Sequence, residues 1–213
     1  MSELDKRRLP WDNPEADVVG LFRYIHTHKG EFPPMYDITA EEAAKTLLRK
    51  TTGWKDDEHG RDTPTRFAAM LRELTTPQEY TFTTFVATGD EMIVIGPIPF
   101  VSVCNHHVIP FVGNAWIGYV PGDVMAGLSK FARLVQANAK ALQVQERLTV
   151  DIADELESRL EPVGVAVLLK AEHFCMTVRG VQTPGVMTTT SAVRGVFADH
   201  TKTAKAEFMQ LIR

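Results

Sequence analysis

Residues 91–107 read EMIVIGPIPFVSVCNHH. From Glu91 to Val103 the stretch is rich in Val, Ile and Phe and is punctuated by Gly96, Pro97 and Pro99. That composition predicts a strand. The strand runs straight into Cys104-Asn105-His106-His107, which sets a thiol and two imidazoles at its end. Thiolates and imidazole nitrogens are zinc-type donors. One stretch therefore carries both a fold signal and a chemical one.

Reading outward towards the C-terminus, Ala115 to Val120 predicts another strand. Helical patterns follow over Val124–Leu142 and Gln145–Leu160. Strands are expected over Val163–Lys170 and His173–Val181, and a last helix over Thr203–Ile212. Towards the N-terminus, Tyr80 to Thr88 reads as a strand. Asp62-Thr63-Pro64 opens a helix that continues through Phe67, Met70, Leu71 and Leu74, with a cap residue and Pro in the first turn. Thr39 and Glu42 have capping-box spacing and predict a helix to about Lys50. Apolar residues at Val18, Val19, Leu21, Phe22 and Ile25 predict another over Pro14–Lys29. The first 13 residues are polar, and Lys6-Arg7-Arg8 reads as part of a solvated tail. The order is helices, strands, two helices, strands, helix. It predicts an α+β fold with an antiparallel sheet backed by helices. Residues 1–75 form an N-terminal helical region, and 76–213 a catalytic domain.

Composition narrows the function. The chain has 213 residues, 44% hydrophobic and 23% charged, with a net charge of -4. No basic excess marks a nucleic-acid binder. An anionic substrate must be met by a local cluster of cations. Two cysteines make no disulfide framework. Met1 to Asn13 holds no apolar stretch, and no run approaches a membrane span. A cytoplasmic, reducing setting is expected, where cysteines beside histidines are more often metal ligands than disulfide partners.

The second cysteine lies in His173-Phe174-Cys175. Two Cys and one His supply three ligands and leave one position for water, the pattern of a catalytic zinc. Two thiolates also balance the charge of Zn2+. His106 and His173 are then unbound imidazoles with an intrinsic pKa near the working pH, suited to proton transfer. The bland alternative is that each cysteine is a small buried hydrophobe. Iron or another divalent ion could also take these donors. His26, His28, His59 and His200 have no cysteine nearby and read as surface or core histidines.

Ser129, Lys130 and Arg133 follow Gly127 at a predicted helix start, on one face by their spacing. They can cradle phosphate or simply face solvent. Glu146 begins the next helix. It is either a dipole-stabilised surface carboxylate or a group that accepts two parallel hydrogen bonds from a guanine. Strand alternation over His173–Val181 would place His173, Cys175 and Arg179 on one face. Arg66 is a further candidate cation.

Together these segments resemble the GTP cyclohydrolase I family. The likeness rests on Cys104-x-His106-His107, Gly127-Leu128-Ser129-Lys130-x-x-Arg133, Gln143-Val144-Gln145-Glu146-Arg147-Leu148-Thr149, His173-x-Cys175 with Arg179-Gly180, and Thr188-Thr189-Thr190-Ser191. Their order and spacing match from about residue 62 onwards. The resemblance implies the tunnelling fold and a homodecamer of two stacked pentamers with active sites between subunits. It implies conversion of GTP to 7,8-dihydroneopterin triphosphate and formate. By that likeness Cys104, His107 and Cys175 hold zinc. His106 protonates the purine imidazole ring, and His173 serves the later ribose steps. Glu146 anchors guanine with support from Gln145. Ser129, Lys130, Arg133, Arg179 and Arg66 meet the triphosphate. The family usually has Glu where this chain has Asn105, which keeps hydrogen-bonding capacity but loses the charge.

Other readings stay open at this point. The same site could act on another purine triphosphate or release a different product. The chain could be another tunnelling-fold enzyme, such as the nitrile reductase of queuosine synthesis. It could also be a zinc-stabilised GTP-binding protein without turnover.

Overall fold

The computed structural model describes residues 38–213. The helix expected over 14–29 and the basic run Lys6-Arg7-Arg8 lie outside the described residues. These residues fall in two compact units, one ending at Ala69 and the other spanning Met70–Arg213.

In the first unit, helix α1 (Ala40–Thr51) starts at the expected capping box. The Glu42 N–H donates to Thr39 Oγ1 at 3.2 Å, and the Thr39 N–H donates to Glu42 Oε2 at 2.8 Å. Two orphan amides of the first turn are satisfied this way. Trp54 closes the next loop by donating its indole N–H to the Gly60 carbonyl at 2.9 Å. Lys45 and Arg49 lie over its ring, and both pair with Asp56. Helix α2 (Thr63–Thr75) follows the loop.

The second unit is built on a five-stranded sheet. Its strands are β2 (Ile93–Cys104), β3 (Pro110–Val120), β5 (Leu142–Gln143), β6 (Gly164–His173) and β7 (Met187–Gly195), in the order β5-β2-β3-β6-β7. All pairings are antiparallel except the short one between β2 and β5. A separate two-stranded ribbon pairs β1 (Thr84–Val86) with β4 (Val124–Ala126). Helices α3 (Leu128–Ala139) and α4 (Gln145–Leu160) cover one sheet face. A four-residue helix α5 (Phe174–Thr177) follows β6, and α6 (Ala204–Leu211) closes the chain.

Strand alternation and helix periodicity decide the packing. Phe111, Ala115, Ile117 and Tyr119 on β3, with Val165, Val167, Leu169 and Ala171 on β6, point towards the helices. They meet Phe131, Leu134 and Val135 of α3 and Leu148, Ile152 and Leu156 of α4. The alternate residues of β6, Ala166 and Leu168, are buried on the other face with Phe197 and with Phe208 of α6. Burial on both faces explains why β6 reads as an unbroken apolar run, GVAVLL. The second unit is thus an α+β fold with a predominantly antiparallel sheet backed by helices, as expected of the tunnelling fold.

Three expectations change, and one strand is new. The strand foreseen from Ala115 begins at Pro110, a first-residue position where a missing N–H does no harm. Residues Val124–Ala126, assigned to a helix by pattern, pair with Thr84–Val86 instead, and α3 starts after Gly127. Only Thr84–Val86 of the stretch Tyr80–Thr88 is a strand. Tyr80 and Phe82 turn onto the core, Arg159 lies over both rings, and Tyr80 donates to Glu155 at 3.0 Å. The Thr-rich segment around Thr188–Ser191 is the edge strand β7, which the apolar pattern does not announce.

Close approach of β3 and β6 makes one position unforgiving. A Cβ on Gly113 would collide with the Lys170 carbonyl oxygen and with Ala171. Gly113→Ala should lower stability by about 1–3 kcal/mol, the usual range for overpacking. Gly89 has nothing within 4 Å of an added Cβ, so Gly89→Ala should be near neutral. Paired denaturant titrations check both.

Candidate metal and catalytic site

The sheet register gathers one end of four strands. Phe111, at the start of β3, pairs with His173 at the end of β6, and Cys104 at the end of β2 pairs with Gln143 of β5. Between β2 and β3 the chain turns within Cys104–Ile109. The Cys104 carbonyl accepts the Val108 N–H at 2.8 Å, and the Cys104 N–H donates to Ile109 O at 2.9 Å. Val108 takes a left-handed conformation with φ 53. That is strained for a β-branched residue, and such strain gathers at functional turns. Asn105 anchors the turn to β5 by donating its N–H to Gln143 O at 2.9 Å.

Cys104, His107 and Cys175 each offer a donor atom, and these atoms all lie within 4.8 Å of one another. The Cys104 Sγ to His107 Nδ1 distance is 3.8 Å. Zinc bonds of about 2.0–2.3 Å in a tetrahedron put donor atoms roughly 3.4–3.8 Å apart, so the donor set fits such an ion with little movement. His106 Nδ1 also approaches Cys104 Sγ, at 3.9 Å, but is not within reach of all three donors. Cys104 is buried, Cys175 half-buried and His107 exposed, so the cluster opens to solvent on one side. Burial pushes the Cys175 thiol up, the adjacent Cys104 adds to the rise, and the Arg179 guanidinium opposes it. A dication between the sulfurs would reverse that balance by favouring thiolates.

Cys175 reaches the cluster differently from expectation. The strand foreseen over Val163–Lys170 runs on to His173, the one foreseen over His173–Val181 does not form, and Cys175 sits in α5. Period-two alternation therefore does not relate Cys175 to Arg179. The physical reason lies in local polar capture. Glu172 accepts the Gly185 N–H at 2.8 Å and the Thr177 hydroxyl at 2.9 Å. Those bonds draw residues 177–185 back over the end of β6, with Gly180 and Gly185 at positive φ.

His173 lies flat on Phe111, with ring centroids 4.6 Å apart and planes 5° apart. Its Nε2 meets Gln145 Oε1 at 2.7 Å. Burial lowers the His173 pKa, and the Glu146 carboxylate works the other way. Gln145 is 1% exposed, so its side chain serves this contact rather than an open surface. Glu146 stands exposed in the first turn of α4.

The candidate cations lie on separate elements. Ser129 and Arg133 are exposed on α3, and Lys130 is half-buried on the same helix. Arg133 lines a cleft of about 760 Å3 together with Tyr80, Gln136 and Lys140, and no donor of the metal cluster lines it. Arg66 belongs to the first unit, where it is exposed and pairs with Asp62 at 3.4 Å. Thr149 and Thr190, which lie in two of the segments that carry the resemblance but received no role there, complete the hydrogen-bonded surroundings of Gln145. Beyond those segments, their sequence signal is a β-branched run on β7 and an i,i+4 spacing from Gln145 on α4.

A solvent-open Cys-His-Cys donor set able to hold a metal ion, at one end of a helix-backed sheet, gives the class as an α+β fold with a candidate metal centre. Comparison with known proteins narrows this. The profile of the family described as GTP cyclohydrolase I matches residues 40–213. A GTP cyclohydrolase 1 from Mycobacteroides abscessus is 46% identical over 186 residues, covering 84% of this chain and 91% of that protein. One from Halalkalibacterium halodurans is 48% identical over 158 residues, covering 71% and 84%. A GTP cyclohydrolase 1 2 from a Nostoc strain is 42% identical over 187 residues, covering 85% and 86%. The chain belongs to the GTP cyclohydrolase I family and is an enzyme of that type. Among the described residues no helix is long and apolar enough to cross a membrane.

The Glu172 tie has a pH signature. The Gly185 N–H, and then the Thr177 hydroxyl, hold its carboxyl below the ordinary carboxylate range. The tie is therefore complete above that range and is lost as pH falls through the depressed value. In Glu172→Ala the Gly185 amide should exchange severalfold faster at neutral pH, and acidified wild type should approach the variant. Equal exchange rates in the two proteins at neutral pH would mean that other contacts hold the loop.

Proposed function

We propose that this enzyme hydrolyses GTP at guanine C8 to 7,8-dihydroneopterin triphosphate and formate, using Zn2+ held by Cys104, His107 and Cys175. The observation that carries the reading is the convergence of those three donor atoms within 4.8 Å, with the His106 imidazole 3.9 Å from Cys104 Sγ. When bound, the ion supplies a Lewis acid and lowers the pKa of a bound water towards about 7.

The chain's own residues do the rest. Glu146 accepts the N1–H and the exocyclic amine of guanine in a bidentate, charge-assisted pair. Ser129, Lys130, Arg133, Arg179 and Arg66 meet the triphosphate. His106 delivers a proton to N7 as the purine imidazole ring opens, and formate leaves after a second hydrolysis. His173 moves protons while the ribose rearranges and the pterin ring closes. Positioning and proton transfer of this kind are what two imidazoles not taken up as metal ligands provide. The same reading takes the enzyme as a cytoplasmic homodecamer with active sites between subunits, acting on GTP and on neither nucleic acid nor membrane. Membership of the family supports it.

The test is to incubate metal-loaded protein with GTP and assay formate and the pterin together. Cys175→Ser should lose bound metal and both products. Formate without pterin would mean that the ring opens but the ribose steps fail. Neither product, with metal bound, would overturn the reading. Glu146→Gln removes the charge from the guanine contact. Hydrogen bonds to charged groups are worth about 1.5–3 kcal/mol, so kcat/KM should fall roughly 10- to 150-fold with metal content unchanged. Steady-state kinetics beside metal analysis check this.

A further inference from the structure

The turn that carries Cys104 and His107 closes mostly on itself. The His107 and Val108 N–H groups both reach the Cys104 carbonyl, at 3.4 and 2.8 Å. The Asn105 N–H instead leaves the turn and donates to the Gln143 carbonyl of β5 at 2.9 Å. The hold on the turn is therefore only as firm as β5. That strand has two residues and lies at the edge of the sheet, paired on one side with Val103 and Cys104. Strands usually run about 3–10 residues, so a ladder this short offers few bonds.

Arg147, in the first turn of α4, holds β5 from its other side. Its Nε donates to Gln143 Oε1 at 3.1 Å, and its Nη2 donates to the Leu142 carbonyl at 3.0 Å. One planar fork thus bridges the side chain of one β5 residue and the backbone of the other. The Gln143 amide is oriented to match. Its Nε2 lies 3.2 Å from the Asn138 carbonyl oxygen and 3.5 Å from Asp151 Oδ2. Those two groups accept and a guanidinium only donates, so Nε2 faces the acceptors and Oε1 faces Arg147. Gln143 is 6% exposed. A buried acceptor that loses its donor is expensive, so water is a poor substitute for the guanidinium there.

We propose that Arg147 is a positioning residue for the metal centre: by clamping β5 to the first turn of α4, it fixes the Asn105–His107 turn and tightens metal binding by Cys104 and His107. This rests on the reading of those two residues, with Cys175, as a metal site. The same turn of α4 carries Gln145, bonded to His173, and Glu146. Arg147 therefore ties the donor-bearing turn to the helix turn that bears the guanine anchor.

The experiment loads full-length wild type, Arg147→Ala and Arg147→Lys with Zn2+ and titrates each with a competing chelator. Arg147 is exposed and Ala favours helix, so the fold should survive. Arg147→Ala should raise the Zn2+ Kd on the order of tenfold, the low end for groups that orient metal ligands. Arg147→Lys keeps the charge but not the fork, and should fall between the two. In the zinc-free proteins, exchange of the Asn105 amide should quicken severalfold in Arg147→Ala. The Val167 amide, in the middle of the β3–β6 ladder, should exchange as in wild type, which separates a loosened turn from a weakened fold. GTP turnover by Arg147→Ala should fall at limiting zinc and recover at saturating zinc, with KM unchanged. An unchanged Zn2+ Kd or unchanged Asn105 exchange would overturn the proposal. A raised KM at saturating zinc would also overturn it, by making Arg147 a substrate contact. Wild type that binds no Zn2+ would overturn the metal reading beneath it instead. If Arg147→Ala unfolds, Arg147→Lys decides by the same titration.

Discussion

Gly113 packs so closely against the Lys170 carbonyl that no side chain fits, and that approach belongs to an uninterrupted ladder from Phe111↔His173 to Val120↔Gly164. The rest of the unit hangs on this register. Slipping it by one residue would turn Phe111, Ile117, Val167 and Leu169 away from α3 and α4 and move the whole apolar set to the wrong face. It would also break the pairing that lays His173 on Phe111. The core and the site are therefore specified by one set of backbone contacts. Any change that unsettles the β3–β6 pair should be felt at the imidazole before it is felt at the donor cysteines.

The site lies where several elements end. Cys104 closes β2, His173 closes β6, Gln145 opens α4, and Cys175 occupies the single helical turn after β6. Chain ends and turns are free to present side chains that a ladder interior would bury. The price is backbone that must be held by other means. Val108 is held in a left-handed turn by the Cys104 carbonyl, and the loop after α5 is held by the Glu172 carboxylate. Neither residue is among the donors, yet each shapes the path of a donor-bearing segment.

Two environments sit side by side. Around the metal donors the surface is open, with His107 exposed. Around His173 it is closed by Phe111, Gln145, Thr149 and Thr190. Burial there favours the neutral ring, whereas His106 is exposed. The two imidazoles thus have different surroundings, one exposed and one closed in.

Much of this was legible in the sequence. Thr39 with Glu42, the helical period of Gln145–Leu160 and the alternating or continuous apolar strands carry their own structure in local chemistry. Cys104, His107 and Cys175 announced a donor set because so few residue types bind soft metals. What stayed hidden depends on partners distant in the chain. Val124–Ala126 is a strand because Thr84–Val86 lies beside it. Thr188 and Thr190 matter because β7 faces the first turn of α4. Cys175 left its expected strand because Glu172 found Gly185. The sequence by itself determined which groups exist and which local periods they favour, since capping, pleat and donor chemistry act over a few residues. Only the tertiary structure decided that His173 Nε2 meets Gln145 Oε1. That contact needs the register that brings the end of β6, the start of α4 and the Thr188–Thr190 segment of β7 together, residues far apart in the chain.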